Sequence, residues 1–445
     1  MNIQNNNLFN PDDYFDDRIE EGVCRVDRSI FTDEAIFELE IKNIFEANWV
    51  YLAHESQITE PNDFFSTWIG RQPVLLTRNA EGEVKAFINA CAHRGVTLTR
   101  EDSGNRAEFS CPFHGWTFNT NGDNIGVMLE RGGGYPDSFC KKDMGLTPLP
   151  RLGIYRGFIF GALASDIPDI EEHLGDVTHM IDLMVDQSPD GLEVLPGYST
   201  YTYRGNWKVQ AENGVDGYHV YATHGNYVMT TEHRKELRAE KDAVKAMPVG
   251  EIGRTEAGFF DFGHGHVTLY GMWPDASDRA IYPNLDDYKS RYGEEKANWM
   301  VSYIRNTLLY PNVFLMDQMS SQIRVFRPLA VDKTEVTIFC IAPVGENPEA
   351  RNRRIRQYED FFNASGMATP DDLAEFNAAQ DGFNGRAARW NDLRRGITRL
   401  SKGPNDVAQR LGINPVTCGT QLDDEGIMIA QHRYWRDCMS NGNGA

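Results

Sequence analysis

Cys91-Ala92-His93 and, after seventeen intervening residues, Cys111-Pro112-Phe113-His114 decide how this chain is read. Each segment offers one thiolate and one imidazole. Together they match the ligands of a [2Fe–2S] centre in which two histidines replace two cysteines on one iron. Tetrahedral zinc accepts two cysteines and two histidines as well. Spacing separates the two readings. Zinc fingers keep like residues together, whereas here each segment is a mixed pair, Cys-x-His and then Cys-x-x-His, which favours iron–sulfur ligation.

Around these segments the pattern is β. Residues 73–78 and 84–88 flank the turn Asn79-Ala-Glu-Gly82, a hairpin signature. Trp116-Thr-Phe118 runs into the turn-like Thr120-Asn-Gly-Asp123, so a second hairpin is expected, with the ligands at two hairpin tips. Residues 157–164 read as a buried strand. This predicts a small all-β domain over 46–165. Ahead of it, 1–45 reads as a polar arm and a helix capped by Thr32-Asp33-Glu34, which packs with the catalytic domain of 166–445. From 166 to 445 the character is mixed. Residues 168–184, 351–362 and 371–379 read as helices, while 198–203, 267–270, 321–326 and 335–340 read as strands. The expected fold class is α+β, a small all-β domain placed before a larger catalytic domain of antiparallel sheet and helices. Residues 1–7 and 441–445 read as frayed ends.

The 445 residues are 41 % hydrophobic and 24 % charged, ordinary for a globular chain of two domains. Lysine and arginine number 44 against 65 acids, a net charge of −21, which opposes nucleic acid or an anionic membrane as partner. No stretch approaches the roughly 18 apolar residues of a membrane span. Of seven cysteines, Cys24, Cys140, Cys340, Cys418 and Cys438 lie outside the motif and form no framework. With no basic-then-apolar leader at Met1, that pattern points to a reducing cytoplasm.

An iron–sulfur centre of this kind moves single electrons and leaves oxygen chemistry to a second centre. Asp216-Gly-Tyr-His219-Val-Tyr-Ala-Thr-His224 offers one. Two imidazoles and a carboxylate form the facial triad of non-haem Fe(II) oxygenases, with open positions left on the metal. A spacing of five does not suit one face of a straight helix, so an irregular turn is expected between the rings. Asp216, Glu212, Asp371 and Asp372 all compete as the carboxylate. His264 and His266 flank Gly265, but neither carboxylate nor thiolate completes a set there, and they read as a surface or pocket-wall pair.

The two motifs, with Gly205-Asn-Trp-Lys208, Glu212-Asn213, Asp216-Gly-Tyr-His219, His224 and Asp371-Asp372, resemble the large (α) subunits of Rieske aromatic-ring-hydroxylating dioxygenases over roughly 20–435. Glu38-Leu-Glu-Ile-Lys-Asn-Ile-Phe45, Tyr51-Leu-Ala-His-Glu-Ser56 and Tyr310-Pro-Asn-Val-Phe-Leu-Met-Asp317 point to the benzoate, toluate and anthranilate 1,2-dioxygenase branch. The resemblance implies that Cys91, His93, Cys111 and His114 hold a Rieske [2Fe–2S] cluster, and that His219, His224 and Asp372 hold a mononuclear Fe(II). Asp216 would hydrogen-bond His219 and the partner subunit's His114, relaying electrons between subunits. It further implies an α₃β₃ hexamer with a small (β) subunit, or an α₃ ring, served by an NADH-dependent flavin and [2Fe–2S] reductase. The product would be a cis-dihydrodiol or catechol of an aromatic acid, made from O2. The alternative is an aryloxyacetate monooxygenase that releases a phenol.

A substrate carboxylate buried near iron needs a charged or donor partner. Asn213 is one candidate, Arg324 and Arg327 others, although arginine on a strand more often faces solvent. Gly214, Val220, Met229 and Met367 are further candidates for the pocket wall. Gly225 stands where this branch often has an aromatic residue, which points to a different or longer substrate.

Overall fold

The computed structural model describes residues 9–238, 255–273 and 275–441, and it divides into two compact units, 45–172 and 1–44 with 173–445. The asparagine-rich start and the residues after 441 lie outside the described ones. No described helix is long and apolar enough to cross a membrane.

The unit 45–172 is built from three small antiparallel sheets. The all-apolar run Phe158–Ala162 is buried throughout, and it pairs with Val50–His54 and Arg151–Tyr155. A second sheet takes the order Val84–Ile88, Gln72–Arg78, Asp63–Ile69, Ser103–Asn105. Phe64, Phe87, Phe109, Trp116 and Phe118 pack into one core around Cys91 and Cys111. One expected detail differs. Cys111 does sit at a hairpin tip, where Ser110 pairs with Thr117. Cys91 lies instead in a connection that leaves one edge strand, Val84–Ile88, and rejoins the sheet at its other edge, Ser103–Asn105.

The larger unit carries a nine-stranded sheet, antiparallel throughout, with helices against it. Its centre runs Lys333–Pro343, Ser321–Ala330, Val313–Asp317, Tyr303–Leu309, Val267–Met272. Side chains alternate across a sheet, so register decides which residues share a face. Arg305 pairs with Asp317 on one face, where Arg279 (2.9 Å), Arg305 and Gln187 (3.0 Å) all bond the Asp317 carboxylate. Burial alone would raise that carboxyl, but the two guanidiniums hold it below its ordinary value. Ile304, Asn306, Met316 and Arg324 stand on the opposite face, with Asn306 beside Met316 and Arg324 beside Phe314.

The expected helix over 168–184 is two helices, Ile170–Leu174 and Thr178–Val185, interrupted by Gly175 at φ +53°. The helix Trp207–Asn213 begins under the Asn206 side chain, which accepts from the Lys208 amide at 3.0 Å. Its first turn is fixed by buried Glu40, which accepts from Trp207 Nε1 (2.8 Å), Lys208 Nζ (2.6 Å) and Trp435 Nε1 (2.7 Å). That anchoring sets where the following segment, 213–224, can lie.

Candidate functional site

The two cysteine–histidine loops are copies of one backbone device. The Cys91 amide donates to the Val96 carbonyl (2.9 Å) and the Gly95 amide to the Cys91 carbonyl (2.8 Å). In the other loop the Cys111 amide donates to Trp116 (2.7 Å) and the Gly115 amide to Cys111 (2.9 Å). Gly95 and Gly115 both adopt positive φ, +72° and +70°, which closes each turn tightly. Both thiols are buried; the His93 and His114 rings lie 4.6 Å apart, with His93 stacked on Trp116.

Donors around one zinc would lie within about 4 Å of one another. Among the described residues, two sets of three donor atoms fall within 4.8 Å of one another, and neither draws on these four residues. The cysteines form one pair and the histidines another. That division suits a two-iron cluster with a cysteine-held and a histidine-held iron. His114 Nδ1 is also buried and unbonded, as an unfilled ligand position would leave it.

The second centre is assembled from distant segments. His219 precedes the four-residue helix Val220–Thr223, and His224 follows it with ψ turned to +16°, the irregular turn that brings the rings together. Asp372 enters from the first turn of the helix Thr369–Phe383. His219 Nε2 and His224 Nε2 are 3.2 Å apart, and Asp372 Oδ1 lies 3.5 Å and 3.3 Å from them. Asp216 Oδ2 sits 3.1 Å from His219 Nδ1, which fixes the proton there and turns the Nε2 lone pair to the centre. Burial pushes the Asp372 carboxyl up to about 6 against the pull of His219 and Arg324. Burial also presses the His224 ring down to about 3, helped by His219 and Arg324. Burial would lower His219 too, but the Asp216 and Asp372 carboxylates outweigh it and hold that ring above its ordinary value. A buried carboxylate beside two imidazoles is a donor set that a divalent cation suits, displacing any proton from the ring nitrogens.

This centre lies in the wall of a cavity of about 880 Å³, its open mouth included. Asn213, Gly214, Asp216 and Val220 line it, as do Leu269, Ile304 and Phe361. Asn213 is committed to the centre itself, its Nδ2 lying 3.3 Å from His219 Nε2 and 3.5 Å from Asp372 Oδ1. The competing carboxylate Glu212 is engaged elsewhere, with His432 at 2.8 Å.

Met229 does not reach the cavity; it is 69 % exposed. Met367 packs against the cluster of Tyr227, Trp273, Ile304 and Met319. Arg327 pairs with Glu335 at 3.6 Å, whereas Arg324 is buried and lines the cavity, against the expectation of a solvated face. Phe361 and the sheet residues Leu269, Ile304 and Met316 carried no sequence signal of their own, because only strand register brings the sheet residues together.

His264 and His266 do not line this cavity. They meet His173 in a second three-donor group. His264 donates from Nδ1 to the His173 carbonyl (2.8 Å), and the Tyr310 amide donates to His266 Nδ1 (3.0 Å). The neutral His266 ring therefore carries its proton on Nε2 and offers no lone pair to a metal. Two imidazoles remain, which is too few for a firm site.

Comparison with known proteins agrees with these two centres. Residues 48–131 match the model of the Rieske [2Fe–2S] domain, and 193–440 that of the ring hydroxylating alpha subunit catalytic domain. The chain is 50 % identical over 432 residues to the toluate 1,2-dioxygenase subunit alpha of Pseudomonas putida, covering 96 % of this chain and 94 % of that one. It is 45 % identical over 435 residues to the anthranilate 1,2-dioxygenase large subunit of Acinetobacter baylyi, covering 96 % and 92 %. A crystal structure of naphthalene 1,2-dioxygenase from Rhodococcus sp. bound to indole aligns with a TM-score of 0.81 at 25 % identity, covering 93 % of this chain and 94 % of that one.

Proposed function

This chain belongs to the family of Rieske ring-hydroxylating dioxygenase large (α) subunits, and we propose that it is a terminal oxygenase acting on an aromatic carboxylate. The observation that carries this reading is the convergence of His219, His224 and Asp372 within 3.5 Å in the wall of a largely apolar cavity. Relatives at 45–50 % identity are named for toluate, 2-halobenzoate and anthranilate, all aromatic acids.

In this proposal Cys91, Cys111, His93 and His114 hold the [2Fe–2S] cluster, and His219, His224 and Asp372 hold the ferrous ion. When bound, the cluster supplies single electrons and the ferrous ion supplies oxygen activation. The chain's own residues do the rest. Asp216 keeps the His219 proton on Nδ1 and, still 20 % exposed at its side chain, has room to accept from the partner subunit's His114. Asn213 steadies both His219 and Asp372. Apolar walls from Leu269, Ile304, Met316 and Phe361 exclude water and receive the ring. Electrons come from NADH through a flavin and [2Fe–2S] reductase. The assembly is an α₃β₃ hexamer with a small subunit, or an α₃ ring.

The test is direct. Protein purified from iron-replete cells is reddish-brown and contains about three irons for every two acid-labile sulfides. With reductase, NADH and O2 it converts benzoate, a toluate or 2-aminobenzoate to a cis-dihydrodiol or catechol. Failure to consume any of these acids overturns the substrate reading; a colourless protein holding only zinc overturns the oxygenase reading.

A further inference from the structure

Four arginines are buried among the described residues: Arg279, Arg305, Arg324 and Arg354. Three of them have carboxylate partners. Arg279 and Arg305 bond Asp317, and Arg354 bonds Glu346 at 2.7 Å. Among the described residues the Arg324 side chain makes neither a hydrogen bond nor an ion pair, although it is only 5 % exposed and its Nε is enclosed. Among the described residues it is also the one lysine or arginine in the cavity lining.

A buried guanidinium without a partner is unfavourable, since it has lost water and gained nothing in exchange. Of the two acids in the described lining, Asp216 and Asp372, it is Asp372 whose carboxyl feels the Arg324 charge, and the proposed ferrous ion would claim and neutralise it. With that ion present, Arg324 shares the cavity with a cation and with the apolar side chains of Leu269, Ile304, Met316 and Phe361. What the cavity then lacks is an anion.

We propose that Arg324 is the anchor for the substrate's carboxylate, received as a forked pair of N–H···O bonds. This deepens the reading above and rests on it. The register supports the geometry. Arg324 stands on the sheet face shared by Met316, Asn306 and Ile304, so a carboxylate held there leaves its ring against the apolar wall, in the same cavity as the metal ligands. Planar guanidinium and planar carboxylate match bidentately, which orients the acid as well as holding it. Arg324 thereby selects ionised aromatic acids over neutral arenes of the same size.

The experiment uses the assembled holoenzyme and compares wild type with Arg324→Met and Arg324→Lys. Binding of benzoate and of its neutral analogue benzamide is measured by equilibrium dialysis, beside turnover and thermal unfolding. Arg324→Met is expected to weaken benzoate binding by about 100-fold, to leave benzamide within about threefold, and to leave unliganded thermal stability unchanged or higher. Arg324→Lys should recover part of the benzoate affinity. A structural arginine would instead lower the unliganded melting temperature and affect both ligands alike, which overturns the proposal. Equal benzoate affinity in wild type and Arg324→Met overturns it while the aromatic-acid function stands. A wild type that binds no aromatic acid defeats the functional reading itself.

Discussion

Two groups of three donors occupy the larger unit, and only one of them reads as a metal centre. His219, His224 and Asp372 converge; so do His173, His264 and His266, each group with its donor atoms within 4.8 Å of one another. What separates them is where the protons sit. At the first group Asp216 accepts from His219 Nδ1, which holds the proton there and turns the Nε2 lone pair to the centre, and Asp372 adds a negative oxygen. At the second, the Tyr310 amide occupies His266 Nδ1 and forces the proton onto Nε2, and among the described residues no carboxylate joins the group. The first group also opens on a cavity large enough for a ring, which the second does not border. Convergence of side chains is thus a weak sign of a metal. The hydrogen bond on the outer nitrogen is the stronger one.

The widest separation between the groups should come from removing one imidazole in each. His224→Ala is expected to lower turnover by at least about a thousandfold and to lose the mononuclear iron while the visible spectrum of the cluster persists. His264→Ala, in the other group, should change neither. Iron analysis with the visible spectrum decides it. Iron lost from His264→Ala would make the second group a metal site and remove the contrast.

A smaller effect tests the role of the outer nitrogen. Asp216→Ala should retain both metals yet lower steady-state turnover by at least about 100-fold, because His219 loses the partner of its Nδ1 and the relay toward the partner subunit is cut. Stopped-flow reduction of the cluster by reductase should stay at the wild-type rate. Normal turnover in this variant would confine Asp216 to an ordinary surface role.

The same contrast explains what the sequence could disclose. The two cysteine–histidine pairs were legible because each lies within one short loop, and the loop's glycine and tight turn are local. His219 and His224 were legible for the same reason, and the irregular turn between them follows from their spacing. Their carboxylate was not. Spacing left Glu212, Asp216, Asp371 and Asp372 open, and only the family resemblance singled out Asp372; in the fold the helix Thr369–Phe383 brings Asp372 across and His432 engages Glu212. The side of the cavity that belongs to the sheet was hidden further. Arg324 and Arg327 look alike in sequence, and which one turns inward depends on pairing with Val313–Asp317 and on Glu335 claiming Arg327. His173 was missed because nothing near it in the chain announces a partner some ninety residues on.

The smallest effect concerns the second group alone and follows from how its rings are buried. Burial, and then the neighbouring His264, press the His173 ring down to about 3 from an ordinary 6.5, and burial presses His266 well below as well. Above pH 6.5 these rings are neutral in the folded and unfolded chain alike, and they cost nothing. As pH falls from 6.5 toward 3, the unfolded chain takes up protons that the folded one refuses. Stability is then lost, at up to about 1.4 kcal/mol per pH unit for each ring, and for His173 the loss levels off below about 3. His173→Phe removes one of those rings, so its denaturant midpoint should fall less steeply with acid than that of wild type. Taking the difference between the two proteins cancels the acid sensitivity of the metal centres, which both share. Adding a chelator should leave that difference unchanged. If the chelator abolishes it, a metal held by His173 and His264 is the source, and the proton argument that distinguishes the two groups fails.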